Sequence, residues 1–292
     1  MNSVSSADSG LGEIFVEECR ITLDGVGWRY QRAGSGPPLL LVHGLLGYSF
    51  SWRFAIPALA QCASVYAVDL PGAGFSDRPA RMDSCMKSLG QQLLHFMDAT
   101  GLASCHLLGT SHGGAVAMMA AASAPTRFPQ LILVDPVNPW SGRGKFLSVL
   151  LSNPVVAPVF TWAGPRLRFV QEHYLRRLYA DTSRIRPGTS EGYRQPLRRP
   201  GAFAHAVDIL RSWNCDLREL ESALPRIAHI PTLLIWGDRD AAVDPASAAR
   251  LKAHFCQCNL VMLEGVGHLP YEEVPDEFNR AVIEFLSFGD SD

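Results

Sequence analysis

Short, nearly all-apolar runs separated by helix-like stretches constrain this chain more than any other feature. Residues 38–42, 64–68, 105–108, 131–134, 231–236 and 259–263 carry few polar side chains. A strand with one wet face alternates apolar and polar residues. A strand covered on both faces reads as a continuous apolar run, the habit of parallel sheets. Between these runs, residues 52–61, 86–100, 113–124, 246–255 and 276–285 have helical patterning. The alternation predicts right-handed crossovers and an α/β fold, with a doubly wound, mostly parallel sheet of about eight strands. Residues 14–23 and 26–33, joined by Asp24-Gly25, predict a leading hairpin.

The alternation stops after Asp135-Pro136 and resumes near Pro231. We expect residues 137–211 to form a helical cap inserted over the sheet, with 1–136 and 212–292 as the core domain. Charge sets this stretch apart. Residues 137–205 hold eleven basic side chains against three acids, a net +8 that leaves −10 for the rest of the chain. Two readings follow. Either the arginines form a solvated surface paired across to the acidic core domain, or they steer anionic substrates or dock an acyl carrier protein.

Composition excludes several classes. A chain of 292 residues with 47% hydrophobic side chains and a formal charge of −2 can bury a large core and is not a disordered segment. A nucleic-acid partner is not expected from a slightly acidic chain. No run approaches the ~18 apolar residues of a membrane span. The opening residues lack the basic and apolar regions of a secretory signal. The seven cysteines are odd in number and scattered, which predicts reduced thiols and a cytoplasmic location. Cys256 and Cys258 stand too close for zinc spacing, so no metal is expected.

The chemistry starts at Gly109-Thr110-Ser111-His112-Gly113, a G-x-S-x-G between an apolar run and a helical stretch. Alone the pattern is weak; its strand–turn–helix setting gives it meaning. A turn this tight strains the serine backbone and lifts its hydroxyl above the sheet edge, beside helix N–H groups that favour a developing oxyanion. A serine hydroxyl is a poor nucleophile and needs a base, itself oriented by a third group. Gly237-Asp238-Arg239-Asp240 follows one apolar run, and Glu264-Gly265-Val266-Gly267-His268 follows the next. Ends of neighbouring parallel strands bring such loops to one edge.

With these motifs the chain resembles the α/β-hydrolase superfamily, in its serine-nucleophile, capped, carboxylesterase-like branch. The resemblance extends to His43-Gly44-Leu45-Leu46-Gly47, to Asp69-Leu70-Pro71-Gly72-Ala73-Gly74-Phe75-Ser76, and to the G-x-G-H-x-P-x-x-E-x-P run from Gly265 to Pro275. It implies Ser111 as nucleophile, His268 as general base and acid, and Asp240 as the group holding the histidine tautomer. Backbone N–H groups of Leu45 and His112 would form the oxyanion hole. Asp135, Asp238 and Asp244 remain competing acids, and His43 is expected to orient the oxyanion loop by hydrogen bonding.

The resemblance implies hydrolysis of a small acyl ester without a cofactor. Related epoxide hydrolases and haloalkane dehalogenases carry aspartate at the elbow, whereas serine points to acyl transfer. The alternatives are a thioesterase or carrier-linked ester hydrolase, a C–C bond hydrolase of the same fold, and a non-catalytic binding protein, against which the intact Ser/His/Asp set argues. Leu46, Tyr48, Trp52, Trp140, Phe146, Trp162 and Phe169 are the expected apolar lining of the substrate pocket.

Overall fold

A computed structural model describes residues 14–288. Eight strands are present: β1 (Val16–Leu23), β2 (Val26–Ala33), β3 (Pro38–Val42), β4 (Ser64–Asp69), β5 (His106–Thr110), β6 (Leu131–Val134), β7 (Thr232–Gly237) and β8 (Cys258–Leu263). They form one sheet in the order β1-β2-β4-β3-β5-β6-β7-β8. The first two strands run antiparallel to their neighbours, and all pairings from β4 through β8 are parallel. Asp24, with φ 49°, turns the hairpin between β1 and β2.

The helices are α1 (Ile56–Leu59), α2 (Met86–Ala99), α3 (Ser111–Ser123), α4 (Arg143–Ser152), α5 (Val156–Ala163), α6 (Arg168–Leu178), α7 (Thr189–Leu197), α8 (Ala202–Ala223), α9 (Ser247–Lys252), α10 (Pro270–Glu273) and α11 (Pro275–Phe288). None of the described helices is long and apolar enough to cross a membrane.

Both sheet faces are covered, as the apolar runs require. Leu40, Val42, Leu107, Leu133 and Trp236 join one core with α2, α3 and α8. Their strand neighbours Leu39, Leu41, Leu108, Ile132 and Ile235 join a second core with α1 and α11. Successive side chains of a strand point to opposite faces, so each strand feeds both cores in turn.

Two segments depart from expectation. The helix expected over 52–61 is instead a 3-10 turn (Ser49–Trp52) followed by the short α1. Pro57 cannot donate to the carbonyl of residue 53, so the helix restarts with proline in its first turn. The second is α8, whose 22 residues run through position 211. Its buried stripe of Phe203, Ala206, Val207, Leu210, Trp213, Leu217 and Leu220 has helical spacing. Phe203 meets Phe160 of α5 edge-on at 5.3 Å, while the C-terminal half packs under the sheet.

The helices between β6 and β7 are tied to the rest through Glu272. Its buried carboxylate accepts from Arg53 Nη2 at 2.6 Å, Tyr179 at 3.0 Å and Tyr193 at 2.7 Å. Arg53 also donates to Thr189 of α7 at 2.9 Å. Breaking a buried pair leaves an uncompensated charge, so Arg53→Met is expected to cost roughly 3–5 kcal/mol in urea unfolding. Arg53→Met/Glu272→Leu should recover a large part of that loss. A double variant as unstable as the single would show that the charge pair is not what fails.

Candidate active site

Ser111 begins α3 directly after β5, with φ 53°. That left-handed backbone is costly for a residue with a Cβ, roughly 1–3 kcal/mol, and persists only where packing enforces it. Packing does so here. A Cβ at Gly113 would stand 2.1 Å from the His43 carbonyl oxygen, so only glycine lets the first turn of α3 close onto the loop after β3. Val137 N–H donates to the Ser111 carbonyl at 3.0 Å and pins the turn from the other side.

The loop after β3 is ordered by two groups. His43 donates from Nδ1 to the Gly44 carbonyl at 2.8 Å and accepts at Nε2 from Leu70 N–H at 3.1 Å, which sets its tautomer. Asp69, fully buried at the end of β4, accepts from Ser49 N–H and Phe75 N–H, each at 2.8 Å. Arg29 Nη1 lies 3.6 Å from the same carboxylate. The loop brings Gly44 against the serine: an added Cβ there would lie 3.0 Å from Ser111 Cβ. Leu46, at φ 60°, turns the backbone of this loop.

Asp240 and His268 meet. Register places Thr110 of β5 level with Val134 of β6, and Val134 level with Ile235 of β7, so the loops after these strands leave from one edge. In the turn after β7, Asp240 Oδ1 accepts from Ala242 and Val243 N–H at 2.6 and 3.0 Å. Its Oδ2 accepts from His268 Nδ1 at 2.7 Å, with both side chains buried. The imidazole therefore presents Nε2 on its other side. Asp238 bonds instead to Gly265 N–H at 2.8 Å, and Asp244 to Ala246 N–H at 3.2 Å.

Asp135 enters the site as a second carboxyl. It too has left-handed backbone (φ 44°) and accepts from Gly237 N–H at 3.0 Å. Burial first, and the neighbouring Asp240 second, hold it well above the usual carboxylate range. Asp135, Asp240 and His268 each bring one potential ligand atom within 4.8 Å of the others. Asp240 Oδ2 is bonded to His268 Nδ1, so the trio is arranged as an imidazole–carboxylate pair with a second carboxyl of raised pKa beside it. Of the four described non-glycine residues with left-handed backbone, three lie here: Leu46, Ser111 and Asp135.

The sequence patterns contained, without revealing, the support for the histidine loop. Glu273 accepts from Gly267 N–H at 2.7 Å and from Ala180 N–H at 3.1 Å. His268 N–H itself donates to the Leu178 carbonyl at the end of α6, at 2.7 Å. The imidazole is thus held from the helices between β6 and β7 as well as from the sheet.

A narrow cavity opens beside the loop after β3, lined by residues including Leu45, Leu46, Arg78, His112, Leu197 and His205. His112 stacks on Trp213 with ring centroids 5.9 Å apart, and burial pushes its imidazole down to about 3. Burial, followed by the charge of Arg78, lowers His205 to about 4, so both rings are neutral near pH 7. Burial and then Arg199 lower Arg78 to about 10, which still leaves it charged, and its buried Nε has no hydrogen-bond partner among the described residues.

The expected apolar lining is largely redistributed. Leu46 faces the cavity, whereas Tyr48 packs on Phe50 and Phe75 and donates to the Gly192 carbonyl at 2.9 Å. Trp52 is fully buried against Tyr271 in the second core, because the 3-10 turn points it inward. Trp140 stacks on His254 at 4.7 Å. Trp162 and Phe169 do not line the cavity but face outward, 65% and 70% exposed, because no other described helix or strand packs over them. The side chain of Phe146 lies outside the described residues.

Known proteins resemble this arrangement. The chain is 27% identical over 261 residues to pimeloyl-(acyl-carrier protein) methyl ester esterase of Aeromonas hydrophila subsp. hydrophila, covering 88% of this chain and 98% of that protein. It is 29% identical over 263 residues to haloalkane dehalogenase 2 of Mycobacterium bovis, covering 87% and 90%. Among solved structures, a membrane phospholipase A described as a bacterial virulence factor superposes with a TM-score of 0.76 at 25% identity, covering 95% of this chain and 87% of that one. The family profile of the alpha/beta hydrolase fold matches residues 37–275. A sheet with this strand order and a strained turn after its central strand, together with a match over most of its length, make the chain a member of the alpha/beta hydrolase fold family.

Proposed function

We propose that the protein hydrolyses carboxylic esters through an acyl-enzyme on Ser111. The observation that carries this reading is the 2.7 Å bond between His268 Nδ1 and Asp240 Oδ2, on the sheet edge where the Ser111 turn emerges. Ser111 Oγ attacks the acyl carbonyl while His268 Nε2 takes its proton. Asp240 holds the reacting tautomer and stabilises the imidazolium. Backbone N–H groups of Leu45 and His112 receive the oxyanion. Collapse of the tetrahedral species breaks the ester C–O bond, and His268 returns the proton to the departing alcohol. Water then repeats the sequence and releases the acid. The helices of residues 137–211 serve as the cap, shielding this reaction and holding the histidine loop through Leu178 and Glu273.

Similarity to a methyl ester esterase supports this reading, and the serine at 111 sets it apart from chemistry that needs a carboxylate nucleophile. On p-nitrophenyl acetate to octanoate, Ser111→Ala should lower the rate by about a thousandfold or more. Equal rates for parent and variant would end the proposal.

The two buried aspartates should separate cleanly. Asp240→Asn loses the tautomer control and is expected to cost about a thousandfold to ten-thousandfold in kcat. Burial and Asp240 raise the Asp135 carboxyl well above its ordinary range, so the uncharged amide of Asp135→Asn should keep activity within about tenfold of the parent. Its stability profile gives a second readout. With its folded value raised, Asp135 ionises more readily in the unfolded chain once pH passes its ordinary value of 3.8, so the parent loses stability from there toward the raised folded value. Asp135→Asn should flatten that decline in urea unfolding. The reverse pattern of activity loss would move the catalytic acid to Asp135.

A second reading concerns the acyl group. Arg78, whose Nη2 donates to the Gly74 and Pro196 carbonyls while its buried Nε has no partner among the described residues, keeps a charge in the cavity beside the oxyanion loop, which favours an ester whose far end is anionic. Arg78→Met should raise KM for a dicarboxylic half-ester by about tenfold or more while leaving a neutral ester of equal length within about twofold. An equal change for both substrates would remove Arg78 from substrate recognition.

A further inference from the structure

The helices between β6 and β7 present an apolar face that nothing in the described chain covers. On α5 and the residue before it, Val155, Val159 and Trp162 follow one another at helical spacing, and Val155 is 78% exposed. On α6, Phe169 and Val170 are exposed in the same way. Single exposed apolar residues are ordinary, but a set shared by consecutive helices marks an interaction surface. The opposite side of α5 already packs inward, with Ala157 buried and Phe160 against Phe203, so the outer side is not a core face left open.

The charges on this face are as particular as its rings. Arg166, Arg168, Arg176 and Arg177 are exposed around it. Among the described residues no carboxylate forms an ion pair with any of the four, whereas Arg184 meets Glu273, and Arg194 and Arg198 meet Glu191. Arg166 lies over the Trp162 ring at 4.9 Å. Glu172 is the one acid between residues 149 and 178. The formal charge of the whole chain is −2, so this basic character is local.

We propose that this face docks on a bilayer carrying anionic phospholipids. Trp162 and Phe169 would seat at the boundary between headgroups and acyl chains, and the four arginines would meet lipid phosphates. The residue types favour this occupant. Trp and Arg combine an apolar body with a polar or charged tip and settle at headgroup depth. An anionic bilayer satisfies arginines and exposed rings together. Two copies of the face would bring eight guanidiniums together without counter-charges. An acidic protein would satisfy the arginines but has no stated apolar surface to cover rings on both helices.

Docking does not depend on the chemistry assigned to Ser111. Its consequence for catalysis does rest on that reading. The C-terminal end of α6 accepts the backbone N–H of His268, so the docked face lies one helix from the histidine loop. Lipid-borne esters would thus arrive next to the site.

The test is flotation of the full chain with vesicles of phosphatidylcholine alone and of phosphatidylcholine mixed with phosphatidylglycerol. The protein should float with the mixed vesicles, less so as salt rises. Trp162→Ser/Phe169→Ser and Arg166→Glu/Arg168→Glu should each weaken partition by about tenfold or more. Far-UV circular dichroism should stay unchanged in both variants. Ser111→Ala should float like the parent whatever its effect on hydrolysis, which keeps this proposal separate from the proposed activity. Four results would overturn it: no flotation, equal flotation with neutral vesicles, variants that float like the parent, or loss of flotation to a dimer formed through this face. Saturable binding of the same face to an acidic carrier protein, without vesicle binding, would also overturn it.

Discussion

The site is built on a steric constraint between two backbone segments. The first turn of α3 closes so tightly onto the loop after β3 that position 113 has no room for a Cβ, and Ser111 is held with left-handed backbone. This strain lifts the hydroxyl off the sheet and brings Gly44 against it. The cost falls on a protein whose net stability is itself the small residue of large opposing terms. The two fully buried faces of the sheet are therefore part of the site. Leu107 and Leu108, the strand residues just before the elbow, lie in opposite cores and hold β5 rigid beneath the strained turn.

Around that turn, buried acids do different work according to what surrounds them. Asp69 receives N–H donors from two loops and keeps the loop after β3 in register with the loop after β4. Glu272 and Glu273, adjacent in sequence, join the histidine loop to the helices above it through unlike partners. One receives an arginine and two phenols, the other three backbone N–H groups. Asp135 has a single backbone donor and, buried beside a second carboxylate, has its pKa held well above the usual range. Burial disfavours the charged form of each, and the number and charge of the donors around it set how far that cost is offset.

The arginines between β6 and β7 separate into two populations. Arg184, Arg194, Arg198 and Arg199 are spent on carboxylates or on carbonyls of the loop after β4, and stabilise how the helices sit. Arg184 pairs with Glu273 of α10, whereas Arg194 and Arg198 pair with Glu191 of α7, among the helices between β6 and β7 themselves. Arg166, Arg168, Arg176 and Arg177 face outward beside exposed rings. Net charge counted over residues 137–205 could not distinguish them, because pairing depends on which distant side chains each helix meets.

The sequence by itself determined the order of strands and helices, the parallel character of the sheet and the serine turn. Those properties rest on local rules: strand and helix periods, the missing Cβ of glycine, and the missing N–H of proline. The stripe of α8 obeyed the same rule, with Phe203, Leu210, Trp213 and Leu217 spaced for a helix in a region otherwise dense in breaks. Only the tertiary structure decided that Asp240 rather than Asp238 or Asp244 meets His268, that Trp52 turns into the core, and that Trp162 and Phe169 face outward. Each of these depends on what another part of the chain, far away in sequence, does or does not place against the side chain, and no local pattern carries that information.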